Sequence, residues 1–445
     1  MISLHSQYKF LLTATIALLL TASAAAQSSG SNSSYSRFGV GLVSDYSQGF
    51  NKAMGGVAQG MRGGTIANAL NPASYSAIDS LSFIFDVGMS LHRTRMTQLG
   101  EKQAFNNTTF DYVSAGFRLR PRLGMSIGFQ PVTNIGYSFS LDYDVLNDLY
   151  STQLVSQTLS YAGSGGLHNA FIGVGWEPLK GFSIGANIGY LWGNVDHQAY
   201  QAFAEGGTVN STSYGSLLTT YTASLKSWKA DIGVQYQAVL NKKNRLTLGA
   251  TVGIGHTLGG TASLLRTTAN GDTIYGEVDK AYEIPMTYSA GFAWEHDNKL
   301  TIAADFSFEQ WEKCKTPQIV NGKGTISYVA RKGAYTNRTR INIGAEYTPE
   351  RYSNNYWNNI RYRFGAVYST PYLIVNDENG PKEFGLSAGV GLPILNKINS
   401  RSMVNVGFHW TRRVPSVSYQ VTENIISISV GLTFNERWFM KWKFN

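Results

Sequence analysis

The chain has 445 residues, with 37 Lys and Arg against 28 Asp and Glu, a formal net charge of +9, and only 15% of its residues charged. Ordinary soluble domains carry about 25% charged residues, and 13% aromatic residues with 47 glycines suit neither a disordered chain nor a helical bundle. Beyond the N-terminus no apolar run reaches the roughly 18 residues of a membrane helix. The single cysteine, Cys314, excludes an intrachain disulfide and any multi-cysteine zinc site, and reads as an incidental loop thiol. The cations are scattered, with runs no longer than Lys242-Lys243 and Arg412-Arg413, which points away from nucleic acid and toward an anionic membrane surface.

Residues 1–26 carry one cation, Lys9, then an apolar stretch from Phe10 to Leu20 and the small-residue end Ala24-Ala25-Ala26. This is the layout of a cleaved secretory signal, with cleavage expected near Ala26. Residues 27–80 do not alternate, yet Met54, Val57, Met61, Ile66, Leu70, Tyr75 and Ile78 make them too apolar for a flexible linker. The same stretch holds Gly55, Gly56, Gly60, Gly63 and Gly64, followed by Asn71-Pro72-Ala73. Glycine permits close approach of backbone to a wall, so a segment inserted in a lumen is expected.

From residue 81 the dominant signal has period two, the side-chain period of a strand with two unlike faces. Phe83, Phe85, Val87, Met89 and Leu91 share one face while Ser82, Asp86, Gly88 and Ser90 share the other, with Ile84 the exception. The pattern recurs to Ile426, Ile428, Val430, Leu432 and Phe434, and predicts fourteen strands. They are expected near 81–95, 106–120, 123–145, 150–178, 181–203, 212–240, 244–267, 276–297, 299–312, 333–348, 358–376, 382–396, 399–414 and 422–435. Even-numbered strands mostly end in tight turns, such as Pro121-Arg122 and Asp297-Asn298, and odd-numbered ones mostly in longer polar loops. The stretch 348–357 is long for a turn, and 376–381 short for a loop. Tyr190, Trp192, Trp294, Tyr347 and Trp410 stand near the ends of apolar faces, where an interfacial girdle sits.

In hydrocarbon every backbone N–H and C=O must be paired, so strands of this kind must close on themselves. The sequence therefore predicts an all-β protein: a fourteen-stranded antiparallel transmembrane β-barrel over 81–435, preceded by a hatch segment 27–80 that plugs the lumen, and followed by a tail 436–445. Its expected place is the outer membrane of a Gram-negative bacterium, in contact with outer-membrane lipid and lipopolysaccharide.

Asn71-Pro72-Ala73, placed after the small-residue stretch and before the first strand, resembles the N-terminal hatch of the FadL/TodX-type outer-membrane transporters of hydrophobic compounds. The stretch Ser160–Leu167 and the aromatic-basic tail are similar to FadL-like proteins of the Bacteroidetes. The resemblance implies a hydrophobic small-molecule ligand, a lumen gated by the hatch, and a side exit at a kinked third strand. That strand carries Gly128, Pro131, Asn134 and Gly136, and a proline in mid-strand removes a ladder donor. Some relatives of that kind are not transporters and serve as barrel partners of larger outer-membrane machines, of the type IX secretion or barrel-assembly type, which is the alternative reading.

Catalytic signatures are missing from the sequence. The seven histidines show no zinc-helix spacing, and Gly253-x-Gly255 lacks a third glycine in register. No metal, no cofactor and no enzymatic activity are expected, although His409 on the thirteenth strand is an inward candidate for a Ser/His pair. Asp86, Asp305, Glu309, Glu295, Glu346, Arg361 and Arg363 are expected to point inward and to pair across the lumen or with the hatch, since unpaired charges there are costly. Apolar lining is expected near the outer loops from Leu217, Leu218, Leu264 and Leu265.

Overall fold

Alternation of large apolar with small or polar residues builds strands whose two faces meet different media. In the computed structural model the residues described are 32–146, 154–205, 216–321, 326–350, 353–394 and 401–437. The expected signal segment 1–26 and all but the first two residues of the tail lie outside them. Fourteen antiparallel strands form the wall: β1 (Ser82–Gln98), β2 (Glu101–Arg120), β3 (Leu123–Pro131, continued by Thr133–Leu146), β4 (Leu154–Leu179), β5 (Phe182–Glu205), β6 (Leu217–Val239) and β7 (Asn244–Gly253, continued by Thr261–Thr268). They continue with β8 (Thr273–Asp279 and Thr287–His296), β9 (Leu300–Glu309), β10 (Arg338–Tyr347), β11 (Arg361–Ser369), β12 (Lys382–Pro393), β13 (Met403–Val414) and β14 (Thr422–Arg437). β14 pairs back on β1 from Ser82↔Arg437 to Thr97↔Thr422, so the sheet closes. Among the described residues no helix is long and apolar enough to cross a membrane.

The outward faces form one apolar belt. Ile188 is 60% exposed, Phe364 62%, Ile343 53% and Phe408 51%. Trp176 and Tyr236 mark its edge toward the short turns, and Tyr190 and Trp228 its edge toward the long loops. On β5 and β6 about eight residues separate the two edges, roughly 25 Å of strand at about 3.3 Å per residue, which matches the lipid-facing band of an outer-membrane barrel.

Ile84, the exception in the first strand, is 1% exposed and packs with Ala67, Tyr75 and Ile78. It faces inward and meets the N-terminal segment. Two connections differ from expectation. The stretch expected as a loop between 95 and 106 is strand on both sides of a two-residue turn, Leu99-Gly100, with φ of 49° and 95°. Above the belt both faces of this hairpin meet water, so the apolar alternation that marks a strand is lost while backbone pairing continues. β11 ends at Ser369, seven residues earlier than expected, because Pro371 cannot donate to the ladder. The following loop is long, with a small Ile374–Val375/Glu378–Asn379 hairpin. The loop between β9 and β10 also builds its own hairpin, Thr316–Asn321 with Ile326–Arg331.

Candidate functional site

The inner faces of the strands meet residues 32–80. Asn71 caps the 3-10 turn Pro72–Ala77, its Oδ1 accepting from the Ala73 N–H at 3.2 Å, and its Nδ2 donates to the Gln59 carbonyl at 2.9 Å. Tyr75, fully buried, donates to Asn187 Oδ1 at 3.1 Å, and Asn187 Nδ2 donates to the Ala69 carbonyl at 2.8 Å. The wall admits this turn because it carries glycine there: a Cβ at Gly175 or Gly185 would sit 2.4 Å from Pro72 backbone atoms. The second contact is at Gly344 and Gly365, where a Cβ would meet Met54 or Gly55 backbone within 2.3 Å. Gly55 and Gly56 are left-handed, with φ of 68° and 77°. Gly60 lies against the Ala293 amide and Gly64 against the Asp79 carboxylate, whereas Gly63 has room around it.

The inward charges fall into separate groups. Arg363, 1% exposed, donates to Glu346 at 2.8 Å, to Asn405 at 2.6 Å and to the Gly49 carbonyl at 3.3 Å, and Arg361 lies 3.7 Å from Glu346. Asp305 accepts the backbone N–H groups of Ala58 and Gln59 at 2.5 and 3.0 Å. Glu309 accepts from Trp311 Nε1 at 2.6 Å and faces Arg338 at 3.5 Å. Asp86 accepts from Tyr112 and Thr433 at 2.9 and 3.1 Å. Of the charges expected inside, only Glu346, Arg361 and Arg363 come together.

Two further charge groups have no local sequence signal, since their members lie far apart in the chain. Lys52 meets Asp111 at 2.5 Å. Arg413 bridges Glu383 and Glu423 at 2.9 and 3.0 Å, and Ser33 donates to Glu423 at 2.7 Å, which ties the start of the described chain to the last strand. His409 is bonded to Ser429 Oγ at 2.8 Å, its one hydrogen bond among the described residues. A Ser/His pair needs a third group to orient the base. Among the described residues no group of three or more His, Cys, Asp and Glu could hold a metal ion.

Toward the loops the lumen is filled by the protein's own apolar side chains. Tyr35, Val40 and Leu42 pack with Ile135, Leu167, Leu191, Leu225 and Leu264, and the Trp311 ring lies tilted against Tyr335 and Tyr372, both at 5.2 Å. Of the leucines expected as lining, Leu264 is buried inside, while Leu218 and Leu265 are 40% and 44% exposed. Cys314, the loop thiol, is 3% exposed within the same cluster. Two cavities in mid-lumen carry charged groups among apolar ones: one of about 200 Å³ bordered by Lys52, Asp111, His409 and Arg413 beside Leu42, Phe110 and Leu386, and one of about 180 Å³ bordered by Lys229, Asp231, Asp305 and Arg340 beside Val132, Ile254 and Trp311.

The wall is interrupted at one height on three adjacent strands. β2 carries an extra residue, Asp111, opposite Gly88/Met89 on β1. β3 breaks at Val132 after Pro131, and β4 answers with Gly165 and Gly166 at φ of 118° and 127°. A bulge bends a strand and strengthens its twist. β2 and β3 consequently pair only up to Val113↔Phe129; beyond it Glu101–Tyr112 pairs with β1 and Ile135–Leu146 with β4. The N-terminal segment lines the gap from inside, with Leu42↔Asn134 and Val43↔Thr133 in register, Asn134 donating to Ser44 at 2.9 Å, and the Ser33 N–H donating to the Gly136 carbonyl at 3.1 Å. Gly128, by contrast, sits in the paired half, where a Cβ would meet the Phe171 ring at 2.7 Å. A cavity of about 690 Å³ opens between the two separated strand halves.

This fold has counterparts among solved structures. The Pseudomonas putida toluene transporter TodX superposes with a TM-score of 0.57 at 17% identity, covering 90% of this chain and 100% of that one. The Ralstonia pickettii toluene transporter TbuX gives 0.56 at 13%, covering 90% and 98%, and a Pseudomonas aeruginosa FadL homologue 0.58 at 11%, covering 89% and 99%. At such identities the likeness is one of fold: a FadL-type outer-membrane barrel. No curated protein sequence matches the chain. Among family models, the one described as BamG matches residues 9–445, nearly the whole length, and the chain accordingly belongs to the BamG family.

Proposed function

We propose that this protein is a plugged barrel subunit of the Gram-negative outer membrane that acts by contact with a larger outer-membrane assembly. The observation that carries the reading is the filled lumen. A site for an apolar small molecule is a largely apolar pocket of about 300–1,000 Å³, whereas the two mid-lumen cavities are smaller, about 200 and 180 Å³, and each has Lys, Arg and Asp side chains on its border. The segment 32–80 is fastened by buried ion pairs at Lys52–Asp111 and through Ser33 to the Arg413–Glu423 pair, which favours a permanent plug over a gate. The apolar cluster at the loop end is occupied by Tyr35, Val40 and Leu42 of the same segment. Purification from native membranes in mild detergent tests this. A stoichiometric protein partner, with no ion conductance by the isolated barrel in planar bilayers, is the expected result. Recovery of the barrel alone, loaded with a lipid-like or aromatic compound, would overturn it.

A second reading, transport of a hydrophobic compound with lateral release past Pro131, is favoured by the interrupted wall and the cavity of about 690 Å³ beside it. The TodX and TbuX structures it resembles are toluene transporters. In this reading the Asn71-Pro72-Ala73 turn would rearrange to pass the compound. Replacing Pro131 and its neighbours by regular strand sequence should then abolish uptake while the barrel still folds; unchanged uptake would refute it.

A further inference from the structure

Five cations stand on the outward face of the wall just above the apolar belt, across an arc that runs from β12 through the closure to β2. Pairing in register sets them in rows. Trp410, Ile426 and Arg93 lie across β13, β14 and β1 at the border of the belt, and Phe384, Arg412, Asn424 and Arg95 form the next row toward the loops. Lys382 and Lys102 flank the arc one row higher, opposite Val414 and Thr97. All five side chains are exposed, and among the described residues none of them forms an ion pair.

Above the belt the acids of the same strands are turned away from this arc. Glu383 and Glu423 bond Arg413 on the inner face, Glu101 borders the cavity beside the gap with Gln98, and the loop acids Asp377 and Glu378 pair with none of the five. Elsewhere the rim is mixed in sign: the stretch from β5 to β8 carries Asp196, Glu277 and Asp279 with Lys226 and Lys280. At about 4.8 Å between strands, Arg412 and Arg95 are roughly 10 Å apart at the backbone, and the arc from Lys382 to Lys102 spans about 19 Å. Like charges on neighbouring strands repel, and among the described residues no counter-charge meets these. Directly beneath, Phe408, Ile428 and Leu91 form an exposed apolar row. A ligand that answers both features carries several anionic groups above apolar chains, which neither inorganic phosphate nor an acidic protein surface does.

We propose that this arc binds the phosphorylated headgroup of an outer-leaflet lipopolysaccharide molecule. The longer loops of outer-membrane barrels face outward, so the arc stands at the level of that leaflet's headgroups. A guanidinium fork holds two phosphate oxygens at once, and Arg93, Arg95 and Arg412 supply three such forks. Lys382 and Lys102 add flanking point charges. The acyl chains descend over Phe408, Ile428 and Leu91. The site goes beyond the plugged-subunit reading and is independent of it, because neither that reading nor transport gives this arc a role.

The test uses the full chain in mild detergent and native mass spectrometry, with three probes: bisphosphorylated lipid A, the same lipid A stripped of its phosphates, and inorganic phosphate. The wild type is expected to retain the first and neither of the others. The triple variant Arg93→Gln, Arg95→Gln and Arg412→Gln should bind lipid A about a hundredfold more weakly, at about fivefold per cation beside an anionic lipid surface. Lys226→Gln, on the far rim, should leave binding unchanged. Heat-shifted migration in gels verifies that each variant is folded. Equal binding of lipid A by the triple variant and wild type would overturn the proposal, as would equal binding of the phosphate-free lipid. Inorganic phosphate held as tightly as lipid A would assign the arc to a soluble anion instead. Loss of a co-purifying acidic protein from the triple variant, with lipid A binding unchanged, would assign it to a protein.

Discussion

Lys52 and Asp111 offer the sharpest test of how the N-terminal segment is held. Their charged atoms are 2.5 Å apart and the side chains are 9% and 8% exposed. Asp111 also accepts from Ser90 at 2.6 Å and from Thr109 at 3.2 Å, so its oxygens are nearly satisfied. At an effective dielectric of about 20 the gross attraction is roughly 7 kcal/mol, and desolvation of the two ions takes back several kcal/mol. A net coupling of about 2–3 kcal/mol follows. Lys52→Ala alone strands a buried carboxylate and should cost about 3–4 kcal/mol; Asp111→Asn strands the ammonium and should cost about as much. The double variant should be less destabilised than the two single changes together, by that coupling. Urea unfolding in lipid vesicles, followed by tryptophan fluorescence and checked for reversibility, measures all four corners of the cycle. Additivity within about 0.5 kcal/mol would refute the claim that this pair fastens the segment to the bulge of β2.

Two further changes and one reactivity probe the packing. Gly175→Val would drive its Cβ to 2.4 Å from the Pro72 carbonyl oxygen, so the barrel should still close and shift on heating while residues 32–80 become cleavable by added protease; retained resistance would count against the close approach. Trp311→Ala removes a 3% exposed ring from the aromatic cluster and the partner of Glu309, and should lower stability by about 3–5 kcal/mol in the same unfolding assay. Burial, with Glu283 adding to it, pushes the Cys314 thiol up to about 12. The folded protein at pH 8 should therefore react with iodoacetamide roughly a thousandfold more slowly than the urea-unfolded chain, and faster as pH rises; equal rates would place the thiol in solvent.

The fourteen strands were legible because lipid outside and a filled lumen inside impose period two on every wall strand, and this survives in β1, β5 and β14 with few breaks. Ile84 breaks it where the inner face meets protein instead of polar space. Legibility ended where two faces share one medium, as in the Leu99-Gly100 hairpin, or where proline acts on pairing alone, as at Pro371. Asn71 and its capped turn stood out because an Asn-Pro pair has local geometry. The Lys52–Asp111 and Ser33–Glu423 contacts did not, since nothing in the intervening residues fixes which inward charge each will meet. The apolar cluster was hidden for a related reason: Tyr35, Leu264, Trp311 and Tyr335 come from separate elements and share no period. The interruption near Pro131 was half visible, in the proline; its counterparts, the bulge at Asp111 and the two left-handed glycines of β4, become meaningful only when the strands are side by side.

The bond from Ser33 to Glu423 spans 390 residues of sequence. The beginning of the chain emerges first during synthesis, yet its docking site needs β12, β13 and β14 in place, because Glu383, Arg413 and Glu423 together form the anchor. Contacts of such separation form late and slowly. The Ser33 anchor can therefore form only once the last three strands are in place, so that this single bond reports that the end of the wall has found its register.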